Sequence, residues 1–94
     1  MFINKRYITS GVAEKIPLPT QILLWKLIDD LPVGKDYLQI FKLSIENGIQ
    51  KIIHIQEEPT YEKEYVFSTE NPVMCKIYAI DDKTHSTMLL SEEY

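Results

Sequence analysis

Two runs rich in strand-forming residues, Tyr37 to Glu46 and Ile49 to Gln56, flank the dipeptide Asn47-Gly48. Asn-Gly in this setting is typical of a two-residue type I′ hairpin turn, because both turn positions need φ > 0. Closing the chain there predicts the register of the two strands. The predicted cross-strand pairs are Ile40–Ile55, Phe41–His54, Lys42–Ile53, Leu43–Ile52, Ile45–Gln50 and Glu46–Ile49.

This register leaves apolar residues on both faces of the hairpin. Phe41 and Leu43 share one face, whereas Ile40 and Ile55 share the other. An antiparallel sheet with one face in water is normally apolar on one side only. Two explanations remain open: a β-bulge between Ile40 and Phe41 restores the alternation, or both faces of the sheet are covered.

Thr20 to Leu31 has the pattern of a helix. Pro19 suits the first helical position, and Leu31 precedes a proline, which disfavours helical backbone. On a helical wheel the apolar positions fill more than half of the circumference, and only Lys26, Asp29 and Asp30 form a charged arc. Such a helix is either deeply buried in the fold or meets a partner.

The rest of the chain reads as short strands joined by turns. Val12 to Pro17 is interpreted as a connector, and Ser91 to Tyr94 as an acidic tail. The predicted strands besides the hairpin are Lys5 to Thr9, Tyr61 to Phe67, Val73 to Ile80 and Ser86 to Leu90. The sequence therefore predicts a single domain, residues 1–94, of the α+β class, with one main helix packed on an antiparallel β-sheet of four to six strands.

The charge and composition of the chain restrict the classes of molecule that it is expected to bind. The net charge is −4, and residues 36–94 carry five Lys/Arg against eleven Asp/Glu. An acidic sheet region argues against a nucleic-acid duplex as partner, since the surface with which a protein binds a duplex is normally basic. Cys75 is the only cysteine, and no apolar run approaches the length of a membrane span or a signal sequence. We expect a cytoplasmic protein.

No constellation of residues predicts catalysis, a metal site or a cofactor site. His54, His85 and Cys75 lack the spacing of zinc ligands, and no motif frames Cys75 as a nucleophile. The pairs Glu57-Glu58 and Asp81-Asp82 fall in predicted turns, where adjacent carboxylates point into water. The three glycines are isolated, so no phosphate-binding loop is present.

Tyrosine is enriched, with six residues in 94. Packing within the fold explains most strand tyrosines, but tyrosine is also common at protein interfaces. Together with the apolar side of the helix, the strand tyrosines give a candidate interaction surface. Its residues are Trp25, Ile22, Tyr37, Tyr61, Tyr65 and Tyr78.

Several segments of the chain, taken together, resemble the sequences of one protein family. They are Asn4-Lys5-Arg6-Tyr7, the Ile22-Leu-Leu-Trp25 and Ile28-Asp29 parts of the helix, Asp36-Tyr37-Leu38-Gln39, Gln50-Lys51-Ile52-Ile53-His54, Lys63-Glu64-Tyr65, and the ending from Asp81-Asp82 to Tyr94. The chain resembles domain-of-unknown-function family 960, found in Gram-positive bacteria and their phages. The resemblance implies a small cytoplasmic protein and no particular activity. Pro19-Thr20 at the helix entry departs from the acidic or helix-forming residues expected there.

We therefore expect a non-enzymatic protein-interaction module with an unidentified protein partner. A homodimer is one way to cover the apolar surfaces. The alternative is a phage-related counter-defence or regulatory factor that binds a nucleotide or a host protein, and a small enzyme is a third reading. A concave pocket lined by tyrosines would favour the alternative, whereas a flat apolar patch would favour the interaction module.

Overall fold

The computed structural model describes residues 1–94 as a six-stranded sheet with two helices. In chain order, the elements are β1 (Lys5–Ile8), α1 (Ser10–Lys15), α2 (Leu18–Asp29), β2 (Leu38–Glu46), β3 (Ile49–Gln56), β4 (Tyr61–Phe67), β5 (Cys75–Asp81) and β6 (His85–Leu90). A short 3-10 helix, Ser91–Glu93, follows β6.

The sheet has the strand order β1-β6-β5-β2-β3-β4. All neighbours are antiparallel except β1 and β6, which run parallel. Asn47 and Gly48 have φ values of 52° and 77°, as a type I′ turn requires. Every predicted pair of the hairpin is confirmed, and the pairing continues without a bulge through Ile40 and Phe41.

Two corrections to the predicted fold concern the first part of the chain. The predicted connector after Thr9 is helical, because the Thr9 hydroxyl accepts a 3.2 Å hydrogen bond from the Val12 amide and caps α1. The fold is therefore α+β with two helices instead of one, and its sheet is mostly, not wholly, antiparallel. The parallel pair joins strands about 80 residues apart, which no local pattern reveals.

One face of the sheet contributes to the hydrophobic core, and we call it the core face. Val12 and Ile16 of the α1 region and Leu24 and Ile28 of α2 are buried in one cluster with side chains from the sheet. The sheet members of that cluster are Phe41, Leu43, Ile52, Ile77, Ala79, Met88 and Leu90. Because side chains alternate along a strand, the residues between these point to the opposite face.

Both chain termini are tied to the sheet by carboxylates. The Phe2 amide donates to Asp81 Oδ2 at 2.6 Å, and Asn4 Nδ2 donates to Asp81 Oδ1 at 2.9 Å. At the other end, Glu93 Oε1 accepts hydrogen bonds from the Thr9 hydroxyl at 2.7 Å and from the Leu90 amide at 2.8 Å. The predicted acidic tail is therefore a docked turn, and the predicted turn carboxylate Asp81 is buried.

Candidate functional site

The face of the sheet opposite the core face contributes no residue to the core cluster, and we call it the open face. Cross-strand pairing places Leu89, Tyr78, Ile40 and Ile55 side by side across four strands. Ile80 pairs with Leu38 in the row beyond. Neither of the two explanations for mixed faces applies: the register has no bulge, and the second apolar face has no helix layer.

Charged residues on the open face are divided by sign across the sheet. Lys42 of β2 lies directly opposite Lys76 of β5. Neither ammonium group has a carboxylate within salt-bridge distance, although Lys76 Nζ lies 5.4 Å from the Tyr78 ring centroid. On the other side of the apolar residues, β4 presents Glu62 opposite Ile55 and Glu64 opposite Ile53.

Like charges directly opposite each other in an antiparallel pair destabilise a sheet. The acidic side is partly neutralised, since Lys51 Nζ lies 3.2 Å from both Glu46 Oε1 and Glu64 Oε1. These two glutamates raise the pKa of Lys51, chiefly through the hydrogen bond from Lys51 to Glu64. Lys51 of β3 thus lies between Glu46 of β2 and Glu64 of β4. On the open face of strands β2 to β5, the charges left without a salt bridge are Glu62 on β4 and the two lysines, Lys42 and Lys76, on β2 and β5.

The core face contains a chain of buried amides that ends at a histidine. Gln56 Nε2 donates to the carbonyls of Gly34 and Pro59, at 2.8 and 2.9 Å, and its Oε1 accepts from Gln39 Nε2 at 2.6 Å. Gln39 Nε2 also donates to the Asp36 carbonyl at 3.0 Å, so Gln39 Oε1 is left to accept. It lies 2.7 Å from His54 Nε2, which must therefore carry the proton.

His54 is held neutral by this arrangement. Its ring stacks on Phe41 with centroids 4.5 Å apart, and its buried Nδ1 has no hydrogen-bond partner. Burial lowers the pKa of His54 to about 4, because the charged ring would lose its hydration without gaining a second acceptor. We find no opening from solvent to this imidazole, which is fully buried, so the geometry gives it a structural role.

The other thiol, imidazole and carboxylate groups that the sequence analysis considered as catalytic or metal-binding candidates are not brought together at one place in the structure. Burial raises the pKa of the Cys75 thiol, which disfavours the nucleophilic thiolate. His85 is on the opposite face from Cys75 and His54, where its Nε2 lies 3.3 Å from Asp82 Oδ2. No group of three or more His, Cys, Asp or Glu side chains is placed to hold a metal ion.

A cavity of about 550 Å³ opens beside the connection between α1 and α2. Its only charged lining residues are the neighbours Glu14 and Lys15, and no tyrosine lines it. The other lining residues are Ile8, Ala13, Ile16, Pro17, Leu18, Gln21 and Asn71. Gln21 is already bonded through Nε2 to the Ile16 carbonyl at 2.8 Å. The cavity thus lacks the tyrosine-lined, convergent polar character expected of a nucleotide site.

A comparison with protein families gives a match over nearly the whole chain. The model of the staphylococcal protein of unknown function (DUF960) matches residues 5–93. The chain belongs to this family. It is also similar to the crystal structure of a protein of unknown function from Enterococcus faecalis, with a TM-score of 0.83 and 27% sequence identity over 97% of this chain and 91% of that chain. A comparison with curated proteins gives no match.

Within this member of family 960, the six candidate interaction residues occupy separate places. Tyr78 lies on the open face, whereas Tyr61 and Tyr65 lie on the core face of edge strand β4 with their hydroxyl oxygens 3.4 Å apart. Burial and the hydrogen bond to Tyr61 raise the pKa of Tyr65 to about 12. The structure therefore does not bring Tyr78 together with Tyr61 and Tyr65.

The other three candidates lie outside the sheet. Trp25 is half-buried on α2, and the Arg6 guanidinium carbon lies 4.8 Å from its ring centroid. Ile22, also on α2, is 59% exposed, and Tyr37, just before β2, is 51% exposed. No helix of the structure is both long and apolar enough to cross a membrane, since α2 has only 12 residues.

Sequence reasoning missed the two lysines that distinguish the open face. Lys42 and Lys76 meet because β2 pairs with β5, two strands separated along the chain by β3 and β4. The sequence did contain a signal for this second face. Leu38 and Ile40 of β2 are apolar, and they alternate with Phe41 and Leu43, so they point to the other side of the sheet.

Proposed function

We propose that this chain is a small, non-enzymatic protein-interaction module and that the open face is its binding surface. The row of Leu89, Tyr78, Ile40 and Ile55 carries this proposal. It crosses four strands with three aliphatic side chains and the Tyr78 ring, on the face to which neither helix contributes core residues. Tyr78, Ile40 and Ile55 are half-buried, and Leu89 is buried. Contiguous apolar surface on a soluble protein is typical of an interface.

The chemistry of the remaining groups supports a binding function over catalysis. His54 is buried and neutral, the Cys75 thiol has a raised pKa, and His85 is paired with Asp82. None of these groups faces another as nucleophile and base. The flat apolar face, and the absence of tyrosines from the cavity lining, favour a protein partner over a nucleotide. A cytoplasmic location fits the single thiol of Cys75, which a reducing compartment keeps free.

Site-specific photo-crosslinking in cells that express this chain natively tests the binding surface. A benzophenone amino acid replaces Ile55 on the open face, and in a control it replaces Lys26, which is exposed on α2. Circular dichroism establishes that both variants are folded. We expect a protein adduct from position 55, identified by mass spectrometry, and none from position 26. Adducts from position 26 only, or from neither position, would overturn this function.

A further inference from the structure

We propose that the partner bound by the open face is a second copy of this chain, related by a two-fold axis that runs along the strands between β2 and β3. This inference rests on the function proposed above, because it names the occupant of the same surface. It follows from the order of charges in one row of the open face, where Lys76 and Lys42 lie on β5 and β2 and Glu64 lies on β4. Outside this row, Glu46 of β2 and Lys51 of β3 are paired within the chain.

The decisive row contains Lys76, Lys42, Ile53 and Glu64 on successive strands β5, β2, β3 and β4. A two-fold axis along the strands places β5 of one copy over β4 of the other, and β2 over β3. Lys76 then faces the partner's Glu64, and the partner's Lys76 faces Glu64. The two outer contacts thus join opposite charges, and at the two central contacts Lys42 lies over the partner's Ile53. Opposite charges at symmetry-related positions are what a self-complementary interface requires.

The neighbouring row is self-complementary in its apolar centre. It contains Tyr78, Ile40, Ile55 and Glu62 on the same four strands. The same axis places Ile40 against the partner's Ile55, so that two apolar contacts lie at the centre. Tyr78 faces the partner's Glu62, to which its hydroxyl can donate. Glu62 has no salt-bridge partner within its own chain.

Association also relieves the repulsion within each copy. Lys42 and Lys76 are directly opposite and lack carboxylate partners in the single chain. The second copy brings the carboxylates of its β4 to the vicinity of both. Long lysine and glutamate side chains can meet across the roughly 10 Å that separates two packed sheets. Sheets packed in this way keep their strands within about 30° of each other, as an axis along the strands requires.

The size of the contact indicates a weak dimer. Four shared strands, each about 4.8 Å apart and about 20 Å long, give a face of roughly 400 Å² in projection. Specific interfaces bury about 800 Å² of accessible surface per partner, so this contact is at the small end of the range. We expect micromolar association, with the charge order fixing the orientation more than the strength.

Two charge reversals and their mixture test the pairing. Lys76→Glu places two glutamates at each two-fold contact, and Glu64→Lys places two lysines there. Both side chains are exposed, so both variants are expected to fold. Glu64→Lys removes one of the two carboxylates that face Lys51, and Glu46 remains as its partner. Each variant alone should self-associate at least about tenfold more weakly than the original chain. Mixed in equal amounts, the two should form a heterodimer with near-original affinity, because both contacts again join opposite charges.

A matched control comes from the opposite side of the same strand. Lys63 neighbours Glu64 on β4 but lies on the core face, where it is exposed. Lys63→Glu should leave self-association unchanged. Native mass spectrometry and light scattering measure all species, and circular dichroism establishes folding. Two results would show that the partner is not a second copy. One is a single variant that self-associates as strongly as the original chain, and the other is a mixture that associates no more strongly than either variant alone. An adduct to a different protein from position 55, with no self-adduct, would do the same while leaving the interaction function intact.

Discussion

Several strand positions on the core face, where the alternation of apolar and polar residues predicts apolar side chains, are occupied by buried polar side chains. Gln39, Gln50 and Gln56 are buried on the core face in phase with Phe41 and Ile52. Each glutamine amide bonds to backbone: Gln50, for example, accepts from the Val73 amide at 2.8 Å and donates to its carbonyl at 3.0 Å. Buried polar groups are tolerated when they are hydrogen-bonded in this way, and here they also fasten the loops to the sheet.

His54 makes the stability of the fold depend on pH. Its pKa is about 4 in the folded chain, against about 6.5 when unfolded, so the unfolded chain binds more protons between these values. The stabilisation is complete above pH 6.5 and declines as the pH falls towards 4, by about 3 kcal/mol in all. Urea unfolding midpoints measured from pH 7.5 to pH 4 should show this decline.

The two histidines provide variant and control for that measurement. His54→Phe keeps an aromatic ring against Phe41 but cannot titrate, so it should flatten the decline between pH 6.5 and 4. It should also cost about 1–3 kcal/mol at pH 7.5, because Gln39 Oε1 loses its donor. His85→Gln, which removes the other imidazole of the chain at a half-buried position outside the core, is the control. An unchanged slope in His54→Phe would refute the assignment of the pH dependence to His54.

Asp81 also makes the stability of the fold depend on pH, because its charged form is stabilised in the folded chain. Burial raises its pKa, but hydrogen bonds from the Phe2 and Lys83 amides and from Asn4 outweigh burial, so the pKa is below the ordinary value. This stabilisation is present above about pH 4, the unfolded pKa, and is lost as the pH falls through the folded pKa. Asp81→Asn should lower the free energy of unfolding by about 1–3 kcal/mol at pH 7, measured by urea denaturation. Glu57→Gln, at an exposed carboxylate, is the control, and equal losses in both would contradict the anchoring role.

The sequence alone could not assign these roles. The register correctly paired His54 with Phe41 and, continued by one residue, places Gln39 opposite Gln56. The backbone carbonyls that bind these amides, those of Asp36, Gly34 and Pro59, belong to loops whose course the register does not predict. Asp81 was interpreted as a solvated turn residue, since nothing local shows that the Phe2 amide lies 79 positions away in sequence yet 2.6 Å away in space.

At the scale of elements, the β2–β3 hairpin is the part that the sequence predicts best. Its turn and its register depend on adjacent residues, and the positive φ values of Asn47 and Gly48 supply the backbone geometry. Helix α1 was missed because it has six residues and depends on the Thr9 cap, not on a long apolar period. The β1–β6 pairing was missed because it is not local.

Gly48→Val tests the turn. Gly48 has φ of 77°, which a β-branched residue adopts at a cost, although no atom lies within 4 Å of the site of a side chain. We therefore expect a loss of about 1–3 kcal/mol from backbone strain alone. Gly34→Val is the matched control, since Gly34 has equally open surroundings and no positive φ. Urea midpoints that fall equally for both variants would refute the type I′ turn as the cause.

At the scale of the whole molecule, the two helices and the sheet leave an asymmetric structure. Both helices contribute to one core with the core face, and the open face is left with apolar rows between charges of opposite sign. The mixed hairpin pattern correctly indicated a second apolar face. It could not show where the charges lie, because Lys76 joins the row of Lys42 and Glu64 only through the pairing of β5 with β2, two strands that are distant along the chain.

Light scattering coupled to size-exclusion chromatography tests most directly whether the open face is a protein-binding surface used by a second copy. The chain has a mass of 11.0 kDa, so a dimer has twice that mass, about 22 kDa. Over a dilution series from about 200 to 1 µM, we expect the mass to fall from about 22 towards 11 kDa, as micromolar association requires. Ile40→Asp, at the apolar centre of the open face, should remain near 11 kDa throughout. A mass of 11 kDa for the original chain at every concentration would contradict the account.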